Sequence, residues 1–434
     1  VRLLSALLLA ATPALAELPA PVSDDDYPPL IPAEVRLGWK LFYDPLLSGN
    51  RNIACASCHH LRFGTSDGLS LGLGEGAIGV GTDRRISGEN VPELRIPRNS
   101  PALFNLGARE FTRLFHDGRI EADPARPSGI RTPMDDEMVS GFASVLSAQA
   151  MFPVLSADEM AGHYSENDVA QAVRSGRITG PGGAWEIIAA RVAGIAEYRA
   201  DFGSVYAEIA GGRAIAFTDI ANAIAAFIAF EWRSDSSPFD AFLRGTGTLS
   251  PQAAAGLDLF YGTAGCAACH SGPFQTDHAF HATAAPQLGP GKAERFEQHS
   301  RDDGRFRVTG QPQDLYAFRT PSLRNVTATG PWGHAGAHLT LADFLAQHGQ
   351  PDALATYNRT ALLPDLPDTK PDWAIADSPA DAAAIAAAAT ALRPISPGEI
   401  GSILAFLDSL TDPAALQGRL GIPLAVPSGL AIDR

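Results

Sequence analysis

Two short stretches, CASCHH (residues 55–60) and CAACHS (residues 266–271), contain all four cysteines of the chain. In each, two residues separate the cysteines and a histidine follows at once: Cys55, Cys58 and His59, then Cys266, Cys269 and His270. This is the spacing and order at which both thiols add across the vinyl groups of one haem while the next imidazole swings under the iron. Four thiolates could instead hold one zinc ion, or the pairs could form disulfides. Either alternative leaves a histidine placed identically after both pairs to coincidence. Two covalently attached c-type haems are therefore expected.

Each motif must be presented by a folded frame, and the two approaches to them look alike. PAEVRLGWKLFYDPLLSGNRNIACASCHH and SPQAAAGLDLFYGTAGCAACHS both read as a short helix ending in LFY, a glycine-bearing turn, then the haem motif. One domain type used twice is the expectation. The fold class is all-α, with two cytochrome c-like domains, mostly helical and rich in long loops. The expected boundaries are residues 17–235 for an N-terminal haem domain with a helical extension and residues 236–434 for a C-terminal one. The apolar face of each haem would supplement a core that so short a stretch cannot build alone.

Further helices follow from apolar periodicity. FTDIANAIAAFIAFEW places Ile220, Ile224, Phe227 and Phe230 at helical spacing, with Thr218 as its expected cap. AWEIIAARVAGIAEYRADF reads the same way. ISPGEIGSILAFLDSL starts with Ser396 as a cap, Pro397 in the first turn and Glu399 three residues after the serine. SPADAAAIAAAATAL (residues 378–392) reads as a surface helix, and LLPDLPDTKPDW as the loop leading to it.

The first residues, VRLLSALLLAATPALAELPAP, combine an arginine, an apolar run of signal-sequence length and a small-x-small site ending at Ala16. Residues 1–16 are read as a signal peptide, and no membrane span is expected in the mature chain. Thioether attachment of haem takes place outside the reducing cytosol, so a periplasmic location agrees with both signals. A net charge of −15 argues against nucleic acid as a partner and permits docking of a soluble redox protein through a basic patch. With 42 glycines and 33 prolines, much of the chain should be turn and loop.

From about residue 32 to residue 350 the chain resembles the bacterial dihaem cytochrome c peroxidase and MauG family. LGWKLFYDPLLSGNRNIACASCHH, RNSPALFN, LFHDGR, DDEM, LFYGTAGCAACHSG, GRFRVTG, FRTPSLRNVTATGPWGHAG and TLADFLAQHG carry the likeness, and ISPGEIGSILAFLDSLTD resembles the closing helix. The resemblance implies a peroxide-reacting haem in the first domain, an electron-transfer haem in the second and often a calcium ion between them. It implies hydrogen peroxide as substrate and a soluble cytochrome c or copper protein as donor, and suggests a homodimer.

The same resemblance assigns roles residue by residue. Glu75, in GTSDGLSLGLGEGAIGVG, stands where many peroxidases of the family carry a distal histidine, and no histidine lies between His60 and His116. The first iron is thus expected to be open or water-bound, with Glu75 either a cap on it or a solvated loop carboxylate. Glu137 in PMDDEM resembles the catalytic glutamate, which moves a proton between peroxide oxygens; Asp135 and Asp136 read as solvated neighbours. His348, fourteen residues after His334, stands where relatives have methionine or tyrosine, making the second haem a bis-histidine, low-potential centre. His299 is the rival ligand. His116 occupies the place of a tryptophan thought to pass charge between haems. Arg119 is expected to pair with a propionate and Asp117 to turn the loop. Asn99, Thr329 and Pro331 correspond to the calcium ligands.

Three functions compete: a peroxidase fed by a soluble redox protein, a MauG-like enzyme that oxidises side chains of a partner protein with peroxide, and a plain dihaem electron carrier. The missing loop histidine disfavours the carrier, because it leaves an iron free to react. The first reading is favoured because its label covers the chemistry that the first two share.

Overall fold

Helix α1 (Pro32–Tyr43) buries Val35, Leu37, Leu41, Phe42 and Tyr43 and crosses α2 (Phe217–Glu231). Gly38 marks the crossing: a methyl group there would stand 1.8 Å from the carbonyl oxygen of Ala223, so only glycine lets the two backbones touch. The second half repeats this contact. In α3 (Pro251–Phe260) a methyl on Gly256 would stand 1.9 Å from the carbonyl oxygen of Ser402. Ser402 belongs to α5 (Pro397–Ser409), and α4 (Leu341–Gln347) packs on the same helix. One turn beyond each glycine an aromatic pair seals the crossing, Phe42 with Phe227 at 5.3 Å and Phe260 with Phe406 at 4.9 Å between ring centroids. Leu37, Leu41, Phe227 and Trp232 belong to one hydrophobic core, and Leu257, Phe260, Ile403 and Phe406 to another.

This architecture comes from a computed structural model. It describes residues 17–86, 90–163, 166–289, 300–355, 361–363 and 373–434. The expected signal peptide, His299 and most of the proline-rich stretch 362–373 lie outside the described residues. No helix among those described is long and apolar enough to cross a membrane.

The expectation of a mostly helical chain holds, with small sheets between the helices. Arg113–Leu114, Ile120–Ala122 and Ile130–Arg131 form a three-stranded antiparallel sheet, and Phe280–His281 pairs with Phe318–Arg319. Both shape the turns around His116. Ser396 caps α5 as expected: its hydroxyl and amide both donate to Glu399, at 2.7 and 2.9 Å. The expected cap of α2 is corrected. Thr218 lies inside the helix, and Asp219 closes its start by accepting from the Ala216 amide at 2.8 Å, an acceptor that Arg213 holds in place. The AWEIIAARVAGIAEYRADF stretch breaks after Ala193 into two helices. Pro379–Ala388 is a surface helix that buries only Ile385.

Beyond α5 the chain returns to the first core. Ala415 and Val426 join it, and the Trp39 indole donates to the Gly421 carbonyl at 2.7 Å. Ser57, inside the first cysteine motif, donates to Asp433 at 2.5 Å.

Candidate active site

Cys55–Cys58 form a single helical turn, and His59 follows as its C-cap. The His59 Nδ1 lies 3.0 Å from the Thr65 carbonyl oxygen, and in the second half His270 Nδ1 lies 3.1 Å from that of Gln275. Each backbone carbonyl selects the tautomer with its proton on Nδ1 and leaves the Nε2 lone pair for a metal. Thr65 (φ 62°) and Gln275 (φ 50°) both have left-handed backbones, which folds the chain back onto the histidine. Burial lowers the pKa of both imidazoles, keeping them neutral as ligation requires. The four cysteines are unpaired. Cys55 and Cys58 pack on the first core and Cys266 on the second, so they do not assemble around one zinc ion. Burial pushes the Cys55 thiol up to about 12 and Cys58 up to about 11, the effect of apolar surroundings on a free thiol. Both sites fit a covalently held haem.

Around the first site Arg84 braces the cysteine turn. Its guanidinium donates to the Ser57 carbonyl at 2.9 Å and the Gly74 carbonyl at 3.2 Å, and lies 3.5 Å from Cys58 Sγ. Next to Gly74, Glu75 is fully buried, so a solvated loop carboxylate is not what the structure contains. Its Oε1 accepts from the amides of Asn50 (2.9 Å), Asn52 (2.6 Å) and Asn90 (2.9 Å). Glu137 lies on the exposed turn Asp135–Glu137, while Met138 beside it enters the core that packs against Cys55 and Cys58. Asp135 and Asp136 face solvent and reach Arg126, as solvated neighbours should.

At the second site His348 caps the C-terminal end of α4 and stacks on Phe344 at 4.8 Å. Burial pushes its pKa down to about 4, with His270 and His338 adding to the effect. His270 thus has a second, neutral imidazole in its surroundings.

His116 sits where the halves meet. Its carbonyl accepts from the Arg319 amide at 2.7 Å, and its ring lies 5.4 Å from that of His334, which stacks on Phe318 at 3.7 Å. One oxygen of Asp302 gathers three nitrogens: His116 Nε2 at 2.8 Å, His334 Nε2 at 3.2 Å and Arg98 at 2.7 Å. Burial drives the His116 pKa down to about 3, and its neighbours hold Asp302 well below the carboxylate range. The buried charges are therefore a carboxylate and a guanidinium, with two neutral imidazoles between the halves. Asp117 turns its loop by accepting from the Arg119 amide at 3.2 Å, and it pairs with the Arg119 side chain at 2.8 Å. The three expected calcium ligands also converge: the Asn99 amide nitrogen lies 2.9 Å from the Pro331 carbonyl oxygen and 3.4 Å from that of Thr329.

The sequence profile described as di-haem cytochrome c peroxidase matches residues 32–248. The methylamine utilization protein MauG of Methylorubrum extorquens is 30% identical over 335 residues, covering 76% of this chain and 72% of that protein. The chain belongs to the di-haem cytochrome c peroxidase family. The cytochrome c551 peroxidase of Pseudomonas aeruginosa is 29% identical over 333 residues, 76% of each chain. Among solved structures, a MauG-like protein associated with microbial copper homeostasis superposes with a TM-score of 0.58 at 25% identity, covering 94% of this chain and 97% of that one. This family member is accordingly an oxidoreductase of the peroxidase type that carries haem. Asp302, Arg98 and Arg84 were missed in the sequence. Asp302 stands next to the GRF motif, but nothing in its neighbourhood points to a histidine nearly two hundred residues earlier.

Proposed function

We propose that this chain is a periplasmic peroxidase that reduces hydrogen peroxide to water with two electrons from a soluble cytochrome or copper protein, reacting at the His59 site and relaying electrons through the His270 site. The observation that carries the reading is a difference between the two sites: His348, buried at the end of α4, lies near His270, whereas the stretch after the first motif offers no histidine between His60 and His116. An iron saturated by two imidazoles passes electrons, and one with a free position binds substrate. At each site the haem supplies the redox-active iron.

The protein's own groups do the rest. His59 and His270 would hold the two haem irons through Nε2, and His348 would be the second ligand at the His270 site. The Glu137 carboxylate takes a proton from one peroxide oxygen and returns it to the other, which departs as water as the O–O bond breaks; the donor's two electrons and two protons from solvent convert the remaining oxygen to a second water. Glu75, with one oxygen taken up by three asparagine amides, favours a first iron that it does not cap. His116 is harder to oxidise than the tryptophan of relatives, so its role is to position neighbours at the junction; Arg119 is assigned to a propionate. With its amide rotated, Asn99 would add an oxygen to the carbonyls of Thr329 and Pro331, an all-oxygen set that suits calcium and ties the halves together.

A MauG-like oxidation of a partner protein is the second reading. It is favoured by the imidazole at position 348, since a bis-histidine centre is a poor acceptor for a high-potential donor. Steady-state assays with peroxide and reduced cytochrome c test both: sustained turnover supports the peroxidase, and its absence, with peroxide still consumed in the presence of a protein substrate, supports the other.

A further inference from the structure

Away from both cysteine motifs, Glu75, His163 and Glu166 each offer a ligand atom within 4.8 Å of the other two. Glu75 is fully buried and His163 is 7% exposed. Each has an unpartnered polar atom, Oε2 of Glu75 and Nδ1 of His163. The other nitrogen of His163, Nε2, is 3.2 Å from Asp158 Oδ1. A histidine anchored to a carboxylate through one nitrogen, with the other turned to further carboxylates, is the usual outer-shell arrangement of a metal-ligating imidazole. His163 Nδ1 stands 3.8 Å from Glu166 Oε1, close to the separation of two ligands on one small ion.

The charges make the same point. The Asn50 amide nitrogen bridges the two glutamates, 2.9 Å from Glu75 Oε1 and 2.7 Å from Glu166 Oε2. Among the described residues neither glutamate, nor Asp158, pairs with a lysine or arginine. Three carboxylates gathered around one imidazole have no lysine or arginine among the described residues to balance them, and a dication supplies the counter-charge.

We propose that Glu75, His163 and Glu166 bind a divalent first-row metal ion of the zinc type, with Asp158 orienting His163. One nitrogen and two carboxylate oxygens make a three-ligand set that suits zinc better than calcium, and the exposure of Glu166 leaves the remaining position to water. The ion joins the loop through Leu73 to Glu75, which passes Cys58, to His163 and Glu166, and Glu75 in turn holds Asn50 and Asn52 ahead of the first cysteine motif. Its role is structural, holding the loop beside the first haem site.

The test is zinc binding to the haem-loaded, metal-stripped protein in millimolar calcium, by equilibrium dialysis with metal analysis. One zinc per chain beyond the two irons is expected, with affinity reduced at least about 10-fold in His163→Ala and in Glu166→Gln, and about 10- to 100-fold in Asp158→Asn. Glu166 is exposed, so Glu166→Gln keeps its fold, which an unchanged haem spectrum verifies. Crystals soaked in zinc should show anomalous scattering between the three side chains. Absence of stoichiometric zinc, displacement of zinc by calcium, or unchanged affinity in both His163→Ala and Glu166→Gln overturns the assignment.

Discussion

Asp302 Oδ2 stands 2.8 Å from Nε2 of His116, joining two residues 186 positions apart across the junction of the two halves. The same oxygen holds Arg98 and His334, so one carboxylate anchors the whole buried cluster. Removing its charge while keeping its shape isolates what it does. Asp302→Asn leaves the Arg98 guanidinium, only 19% exposed, without its counter-ion, and breaking a buried pair from one side costs roughly 3–5 kcal/mol. Denaturant unfolding should show that loss. A change within the scatter of repeat measurements would mean that water or another group neutralises Arg98.

The neutral imidazoles make stability depend on pH in a defined direction. The folded protein keeps His116 unprotonated down to about 3, and burial lowers His334 as well. The unfolded chain protonates each near about 6.5. Between those values the unfolded state binds the extra proton, so stability is full above about 6.5 and falls on acidification, by up to about 1.4 kcal/mol per pH unit for each such group. Unfolding midpoints of wild type and His116→Gln should converge as the pH is lowered from about 7 to about 5. Parallel pH profiles would show that His116 takes up its proton equally in the folded and unfolded chains, against the lowered folded value.

The proposed inequality of the haem sites is open to electron paramagnetic resonance. The oxidised protein should show one low-spin ferric signal of bis-histidine character and one high-spin signal, without prior reduction. His348→Ala should abolish or shift only the low-spin signal. Two low-spin haems at the start would defeat the proposal of an open first site.

Glu137 sits on an exposed turn whose neighbour Met138 enters the first core, which lets its carboxylate be exchanged without disturbing packing. Glu137→Gln should preserve the haem absorption spectrum and slow the reaction with peroxide by about 10²- to 10⁴-fold. Stopped-flow mixing with peroxide reads this directly, and an unchanged rate would remove Glu137 from the chemistry.

The cysteine motifs were legible because covalent attachment demands a fixed local spacing, and the Ser396 start of α5 because a cap acts over three residues. Thr218 was misread for the same locality: Asp219, its neighbour, competes for the helix start and has Arg213 to hold it. Glu75 looks solvated in a glycine-rich loop, and its burial depends on amides contributed by Asn50, Asn52 and Asn90 from both sides of the motif. Asp302 and the group of Glu75, His163 and Glu166 are assembled by tertiary contact alone. No periodicity encodes them, whereas the twin glycines Gly38 and Gly256 are visible in retrospect as the shared fourth residue before each LFY phenylalanine.

The return of the chain to its first core has a consequence for the order of assembly. Val426 completes the packing around α1, and Asp433 holds Ser57 between the first two cysteines. These contacts span more than 370 residues, so the first haem-attachment turn cannot reach its final setting while the second half is still being delivered. Until the last stretch of chain arrives, the Ser57 hydroxyl lacks its Asp433 partner and the core around α1 lacks Val426. The second turn, with its helices α3 and α5 both in the later half, waits on no such distant segment.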